Sequence, residues 1–287
     1  MPTDIPIEAL FAPVFVISVM IEWWAVKSGR ATGRYETKDA VTSMTMGLGN
    51  AIVGTLTGVA ALWMLMLVWP YRVMTVPDTW WSFVIVFVLY DFVYYWKHRF
   101  AHRVRWFWME HVTHHSSTHY NLTTALRQPW FGPFTGLILI GWSLVLLGFH
   151  PLIIGAAGGI NLVYQFWIHT EAIGKMPRWF EWALNTPSHH RVHHATNPRY
   201  LDANFAGIFM FWDRMFGSFV PELEDEKITY GIVKPVGTFN PVKVAFVEML
   251  GIFKDAGGRG LKLTQRLGYI FAPPGYSHDG SRQGSEG

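Results

Sequence analysis

Apolar runs separated by short polar segments occupy the first 169 residues, and mixed sequence follows. The first run, 8–26, is interrupted by Glu22 near its end; Lys27, Arg30, Arg34 and Lys38 then follow in a polar loop. The second, 46–69, carries no charge, and as a helix it is long enough for a hydrocarbon core about 30 Å thick. Gly47, Gly49, Gly54 and Gly58 give it a small-residue face for close packing. Residues 70–78 read as a turn, and the third run, 80–96, contains Asp91. The fourth and fifth, 130–149 and 152–168, lie near the lower limit for a span. They either cross or form a hairpin that dips partway. Residues 177–184 read as amphipathic, and 273–287, rich in Pro, Gly and Ser, as a disordered tail. The pattern predicts an all-α integral membrane bundle of about four to five transmembrane helices, one domain over 1–272.

Composition supports lipid surroundings. Hydrophobic residues make up 51% and charged residues 15%, against about 25% charged in soluble domains. Fifteen Trp and 21 Phe suit the boundaries of a bilayer. A net charge of +3 with no long basic run excludes a nucleic-acid partner. If all five runs cross, 22 of the 23 Lys and Arg fall on one side and Arg72 alone on the other. The positive-inside rule then places the basic side in the cytoplasm, of a bacterial inner membrane or, in a eukaryote, of the endoplasmic reticulum. The histidine-rich segments lie on that same side.

Those segments are 97–119, with His98, His102, His111, His114, His115 and His119, and 189–194, which reads HHRVHH. Residues three and four apart share a helix face. His98 with His102, His111 with His114 and His115, and His190 with His193 and His194 can therefore each aim imidazoles at one point. Neutral imidazole is the commonest side-chain metal ligand, and about four ligands complete one ion, so this many histidines imply two metals. Absence of Cys removes disulfides, thiolate ligands and Cys-held iron–sulfur clusters. Imidazoles suit Zn, Fe, Cu or Ni. Arg99 after His98 and Val112 after His111 exclude the His-Glu-x-x-His zinc protease pattern. The Glu-x-x-His repeats of soluble di-iron bundles are missing too. A membrane oxygenase remains, with two rivals: a metal store or transporter, and a scaffold without catalysis. Transporters place their ligands at mid-membrane, whereas these histidines follow the ends of apolar runs. His150 precedes Pro151 at the expected far membrane face and His278 lies in the tail, so neither is expected to reach the clusters.

The chain resembles the fatty acid hydroxylase superfamily, the membrane di-iron group that includes sterol desaturases and carotenoid hydroxylases. The motif H-x3-4-H matches His98 and His102; H-x2-HH matches His111, His114 and His115, and again His190, His193 and His194. A histidine expected at the end of a transmembrane segment matches His169. Runs at 121–128, 164–171, 185–194 and 212–217 place the nearest likeness in the alkylglycerol monooxygenase branch. The resemblance implies a histidine-rich cytoplasmic cap in which these nine histidines hold two iron ions, with zinc able to replace them in purified protein. It implies O2-dependent hydroxylation or desaturation of a lipid that enters from the bilayer: a sterol, a fatty acyl chain, an ether lipid or a carotenoid. No Rossmann fingerprint is present, so electrons would come from a redox partner protein or a reduced pterin. No separate acid or base is assigned. Behind the ligands, Asp91 is the expected acceptor for a ligand imidazole N–H, the alternative being a structural partner for an arginine. His189 is expected to support the ligands from behind, because His190 already fills the motif position. Gln165 ligates weakly, bonds a metal-bound water or packs, and Asn204 either folds back on the site or caps a turn.

Overall fold

The computed structural model describes residues 10–281, and among them every regular element is helical, with isolated β-bridges and no strand. Helix α1, Ala12–Lys27, takes up the first apolar run; residues 8 and 9 of that run lie outside the described residues. Its one buried side chain is Glu22, which accepts from the Leu122 amide at 2.8 Å and from the Tyr35 and Thr170 hydroxyls. What the sequence shows as an interruption is thus the joint between α1 and the segments around 122 and 170.

Helix α2, Thr37–Val68, continues as a 3-10 turn to Tyr71. Among the described residues it is the one helix long and apolar enough to cross a membrane: 35 residues, mean hydropathy 2.1 over its apolar window, none of that window buried. Leu56 and Val59 are 75% and 78% exposed. A helix apolar all round with so little packed against it matches surroundings that are themselves apolar. Its first turn is different. Asp39 is buried there, held by Arg127 Nη1 at 3.0 Å and by the Ser117 hydroxyl.

Helix α3, Trp80–Arg103, begins at a capping box of Thr79 and Ser82 and runs on past its apolar part to carry His98 and His102. Val104 is extended (φ −125°), which ends α3 and lets the chain turn directly into α4, Arg105–His115. The two helices that carry five of the motif histidines are therefore joined by one residue. Helix α5, Leu122–Ala125, follows under an Asn121 cap.

The fourth apolar run is not one helix. Gly132–Phe134 and Leu137–Gly141 are 3-10 turns, and only α6, Trp142–Leu146, is α-helical. Pro133 and Gly136 (φ +85°) break it. The fifth run is α7, Pro151–Phe166, whose 16 residues span about 24 Å. The turn between them is knitted to the loop joining α2 to α3: Val73 N to Leu146 O at 2.8 Å and Val76 N to Gly148 O at 3.0 Å. Gly148 (φ +103°) lies so close to the Met74 carbonyl that a Cβ there would sit 2.2 Å from its oxygen. Both runs therefore reach the far end of α2 and α3 despite their short helices. Val86, Leu144, Val145, Phe149, Ile154 and Ala157 form the core between them, with Leu65 and Val68 of α2 against it.

The amphipathic segment becomes α8, Arg178–Ala183, with Trp179 and Trp182 exposed. Helices α9, Pro187–His193, and α10, Phe211–Met215, bracket a loop that folds back on α3. Last come α11, Pro241–Ala256, and α12, Leu263–Phe271. The stretch from 273, read from composition as disordered, is described as far as Ser281, and Tyr276 packs on Tyr269 with ring centroids 5.5 Å apart. Residues 282–287 lie outside the described residues.

One cation ties the ligand helices to this end. Arg105, at the start of α4, is buried; its Nε meets Glu248 at 2.5 Å and its Nη1 meets Asp255 at 2.8 Å, both on α11. Its amide donates to Ala272 O just past α12. Arg105→Ala would leave two carboxylates facing each other without their cation, a loss of about 3 kcal/mol or more. A clear fall in the thermal unfolding midpoint of detergent-solubilised protein is expected, partly restored by adding Glu248→Gln with Asp255→Asn. An unchanged midpoint would mean that the carboxylates find other partners.

Candidate metal centre

The helical clusters converge at one end of the bundle. One ring nitrogen from each of His98, His102, His111, His115 and His193 lies within 4.8 Å of the others, and the same holds for His114, His169, His190 and His194. The grouping differs from the sequence expectation that each triplet aims at one point. In each H-x2-HH triplet the first and last histidines share a group, and the middle one joins the other group. His111 and His115 stand apart from His114, and His190 and His194 from His193. Helix geometry explains this, because i+3 and i+4 are 100° apart on the cylinder. A triplet therefore straddles two centres. Where the groups abut, the His115 and His194 rings stack with centroids 4.3 Å apart.

Backbone carbonyls set the tautomers. His98 Nδ1 lies 2.8 Å from Phe205 O and His193 Nδ1 2.8 Å from Ala203 O. In the other group His169 Nδ1 lies 2.7 Å from Gln165 O and His114 Nδ1 3.3 Å from Arg127 O. A carbonyl can only accept, so each of these Nδ1 atoms carries the hydrogen and each Nε2 presents a lone pair. The Nε2 atoms of His114 and His169 are nevertheless 3.1 Å apart. His98 Nε2 lies 2.8 Å from His111 Nε2, which is also 3.0 Å from His115 Nε2. The His114 and His169 lone pairs facing one another at that distance repel unless a cation sits between them, and the His98, His111 and His115 nitrogens crowd around one point in the same way. Both nitrogens of His102, and Nε2 of His193 and His194, are buried with no hydrogen-bond partner, a cost that coordination removes at one nitrogen of each ring. The donor set thus fits metal ions.

Electrostatics agree. Burial first, then the neighbouring histidines for most of the set, pushes all nine imidazoles below their ordinary range, to about 4 at His114 and about 3 at His193. They therefore stay neutral, the form that ligates. Eight of the nine are buried, and His111 alone is half-buried.

The supporting residues sit differently from the sequence reading. Asp91 faces no imidazole. Its carboxylate accepts from the Ile208 and Phe209 amides at 2.8 and 3.0 Å, Trp212 Nε1 at 3.1 Å and Asn161 Nδ2 at 2.7 Å. It anchors the loop whose Phe205 carbonyl holds His98, so it acts through backbone. Gln165 serves the site with its carbonyl, while its side chain takes the Tyr94 hydroxyl at 2.7 Å and donates to Asn161. Asn204 does fold back: its side chain donates to His189 O and Val220 O and accepts from Val220 N. It adopts φ +57°, tolerable for Asn, and lies between the two carbonyls, of Ala203 and Phe205, that hold His193 and His98. His189 lies outside both groups and pairs through Nε2 with Glu181 Oε2 at 2.9 Å. His119 is also outside them, 3.9 Å from Asp39.

Several participants are missing from the sequence reading. Asp202 (φ +60°) brings a carboxylate oxygen to 3.8 Å from His102 Nδ1, and Arg103 lies 3.4 Å from its other oxygen. Arg127, buried, bonds Ser116 and Thr113 O beside the ligands as well as Asp39. Tyr120 lies against the His194 ring at 5.2 Å and stacks on Tyr230 at 4.9 Å. None has a signal in local sequence, because each acts across a long loop.

Comparison with known proteins places this geometry. Residues 83–218 match the fatty acid hydroxylase family model. Alkylglycerol monooxygenase of Homo sapiens is 39% identical over 245 residues, covering 85% of this chain and 53% of that protein. The Xenopus tropicalis enzyme is 37% identical over 277 residues (96% and 59%), and that of Danio rerio 37% over 251 residues (86% and 54%). The chain thus spans little more than half the length of these relatives. No solved structure shows a significant match. The span matched by the fatty acid hydroxylase family model, residues 83–218, contains all nine convergent histidines.

Proposed function

We propose that this protein is a membrane-embedded lipid monooxygenase using two metal ions, iron in the working enzyme, to insert oxygen into a C–H bond of a glyceryl ether lipid. The observation that carries the reading is the pair of convergent lone-pair clusters inside a domain shared with alkylglycerol monooxygenases. His98, His102, His111, His115 and His193 would hold one ion, and His114, His169, His190 and His194 the other. The ions would supply O2 activation. In the balanced reaction one oxygen atom enters the C–H bond and the other leaves as water, with two electrons and two protons from an external reductant, a redox partner protein or a reduced pterin. The protein's own contribution is to bury the site, fix the ring tautomers through carbonyls and hold the imidazoles neutral.

The domain is proposed to extend over 1–272, with 46–69, 80–96, 130–149 and 152–168 crossing the bilayer and the histidines at its cytoplasmic face. The charge asymmetry supports that side, and the joint between the 73–76 loop and the 146–148 turn supports a common far end.

Purified protein should carry close to two metals per chain by elemental analysis. His193→Ala should lose metal outright, whereas His189→Ala and Asn204→Ala should weaken affinity or turnover by about 10–100-fold. One metal per chain with no second site on reconstitution would contradict the paired arrangement. Tags after Lys38, after Thr118 and at Gly287 should report cytoplasm and a tag near Pro77 the opposite side; a cytoplasmic signal at Pro77 would overturn the crossings. The activity itself is tested with metal-loaded protein in lipid nanodiscs. O2 uptake and loss of an alkylglycerol, read by mass spectrometry, should depend on added reductant. Loaded protein that spares the ether lipid but oxidises a sterol or a fatty acyl chain would shift the substrate; protein that oxidises none would remove the enzymatic reading.

A further inference from the structure

The last two helices are used by nothing in the site, yet they leave a large apolar face outward. On α12, Leu263, Leu267 and Phe271 recur every fourth residue and are 70%, 44% and 55% exposed, so they form one stripe. On α11, Val242, Leu250 and Phe253 fall within about 80° of one another by helical geometry, and all three are exposed. The opposite face of α11 is spent internally. Val244 and Ala245 pack on Met46, and Glu248 and Asp255 take the Arg105 guanidinium.

Charge on this hairpin is lopsided. Glu248 and Asp255 are the only acids in 241–271, and both face Arg105. The remaining cations include Lys243, Lys254, Arg259 and Lys262, all exposed. Lys243 and Lys254 border the α11 stripe, where a long side chain can lay its stem on apolar surface and keep its charge in water. The hairpin's outer face is therefore apolar with a wholly cationic rim.

Its position selects the partner. Met46, on which α11 rests, opens the charge-free run 46–69 of α2. The hairpin thus sits at the level where the spanning part of α2 begins. We infer that α11 and α12 lie in the plane of the bilayer, their apolar stripe in the acyl boundary and their cations among anionic lipid headgroups. Arg105 then links that surface directly to the first turn of the ligand helix α4, so headgroup contact sets the depth of the metal cap. This rests on the membrane reading of α2 but needs neither metal nor turnover.

The chain has no Cys, so an environment-sensitive fluorophore can be placed on the full-length protein through Leu267→Cys, Phe253→Cys, Val59→Cys and Glu224→Cys in turn. In nanodiscs containing phosphatidylglycerol, brominated lipid should quench the probes at 267 and 253 strongly. The probe on α2 at 59 should be quenched and that at 224 spared. Lys254→Glu with Lys262→Glu should reduce quenching at 267 in anionic discs, while discs of phosphatidylcholine alone should show weaker quenching from the start. Quenching at 59 with none at 267 and 253 would overturn the inference and leave the spanning helix intact. Absence of quenching at 59 would overturn both. Protection from water at 267 without lipid quenching, varying with protein density in the membrane, would overturn it in favour of a second copy of the chain.

Discussion

The structure turns on a set of lone pairs that cannot be left facing one another. Four imidazoles have their Nδ1 hydrogens held by the carbonyls of Phe205, Ala203, Gln165 and Arg127, which commits their Nε2 atoms to the interior. Those of His98, His114 and His169 approach other imidazole nitrogens to about the length of a hydrogen bond, that of His193 is buried without a partner, and burial keeps water from intervening. Cations relieve that conflict, and nine neutral nitrogens in two groups are suited to provide two such places.

Holding carbonyls in place is harder than holding side chains, and much of the remaining structure serves that end. The loop supplying Ala203 and Phe205 is pinned at Asn204 by Val220 and His189, and from below by Asp91 through the Ile208 and Phe209 amides. Asp213 takes the Phe205 and Ala206 amides as well. These carboxylates are buried, where isolation would be costly, and several donors offset that cost. On the other side, Arg127 gives its carbonyl to His114 and its guanidinium to Asp39 at the start of α2. The ligand cap and the apolar helices are therefore one mechanical unit.

On the proposed membrane reading, lipid would complete the frame from outside. No residue of the apolar window of α2 is buried, and α11 with α12 continues an apolar surface past its end. The polar joints at Glu22, Asp39 and Arg105 lie where the runs meet the cap. Each connects a long helix to a segment carrying or flanking ligands. On that reading, depth in the bilayer and geometry at the metal centre would be coupled through a few buried ion pairs and hydrogen bonds.

Much of the site is legible along the chain. The i, i+3 and i+4 spacing of His98, His102, His111, His114, His115, His190, His193 and His194 is imposed by covalent helix geometry, and the apolar runs follow from composition in the same way. Which histidine faces which partner is not. Helix geometry splits His114 and His193 from their own triplets, but which group each then joins depends on how α3, α4 and α9 meet, which no local pattern encodes. The carbonyl that fixes His98 comes from a residue 107 positions away. Asp91 looks from sequence like the partner of an imidazole, and only the folded loop shows four other donors reaching it first. The run 130–149 is apolar enough to suggest one helix, yet Pro133, Gly136 and the joint with 73–76 divide it. Composition reports what surrounds a segment, and spacing reports which side chains share a face. The assignment of partners across more than one element waits on how those faces meet.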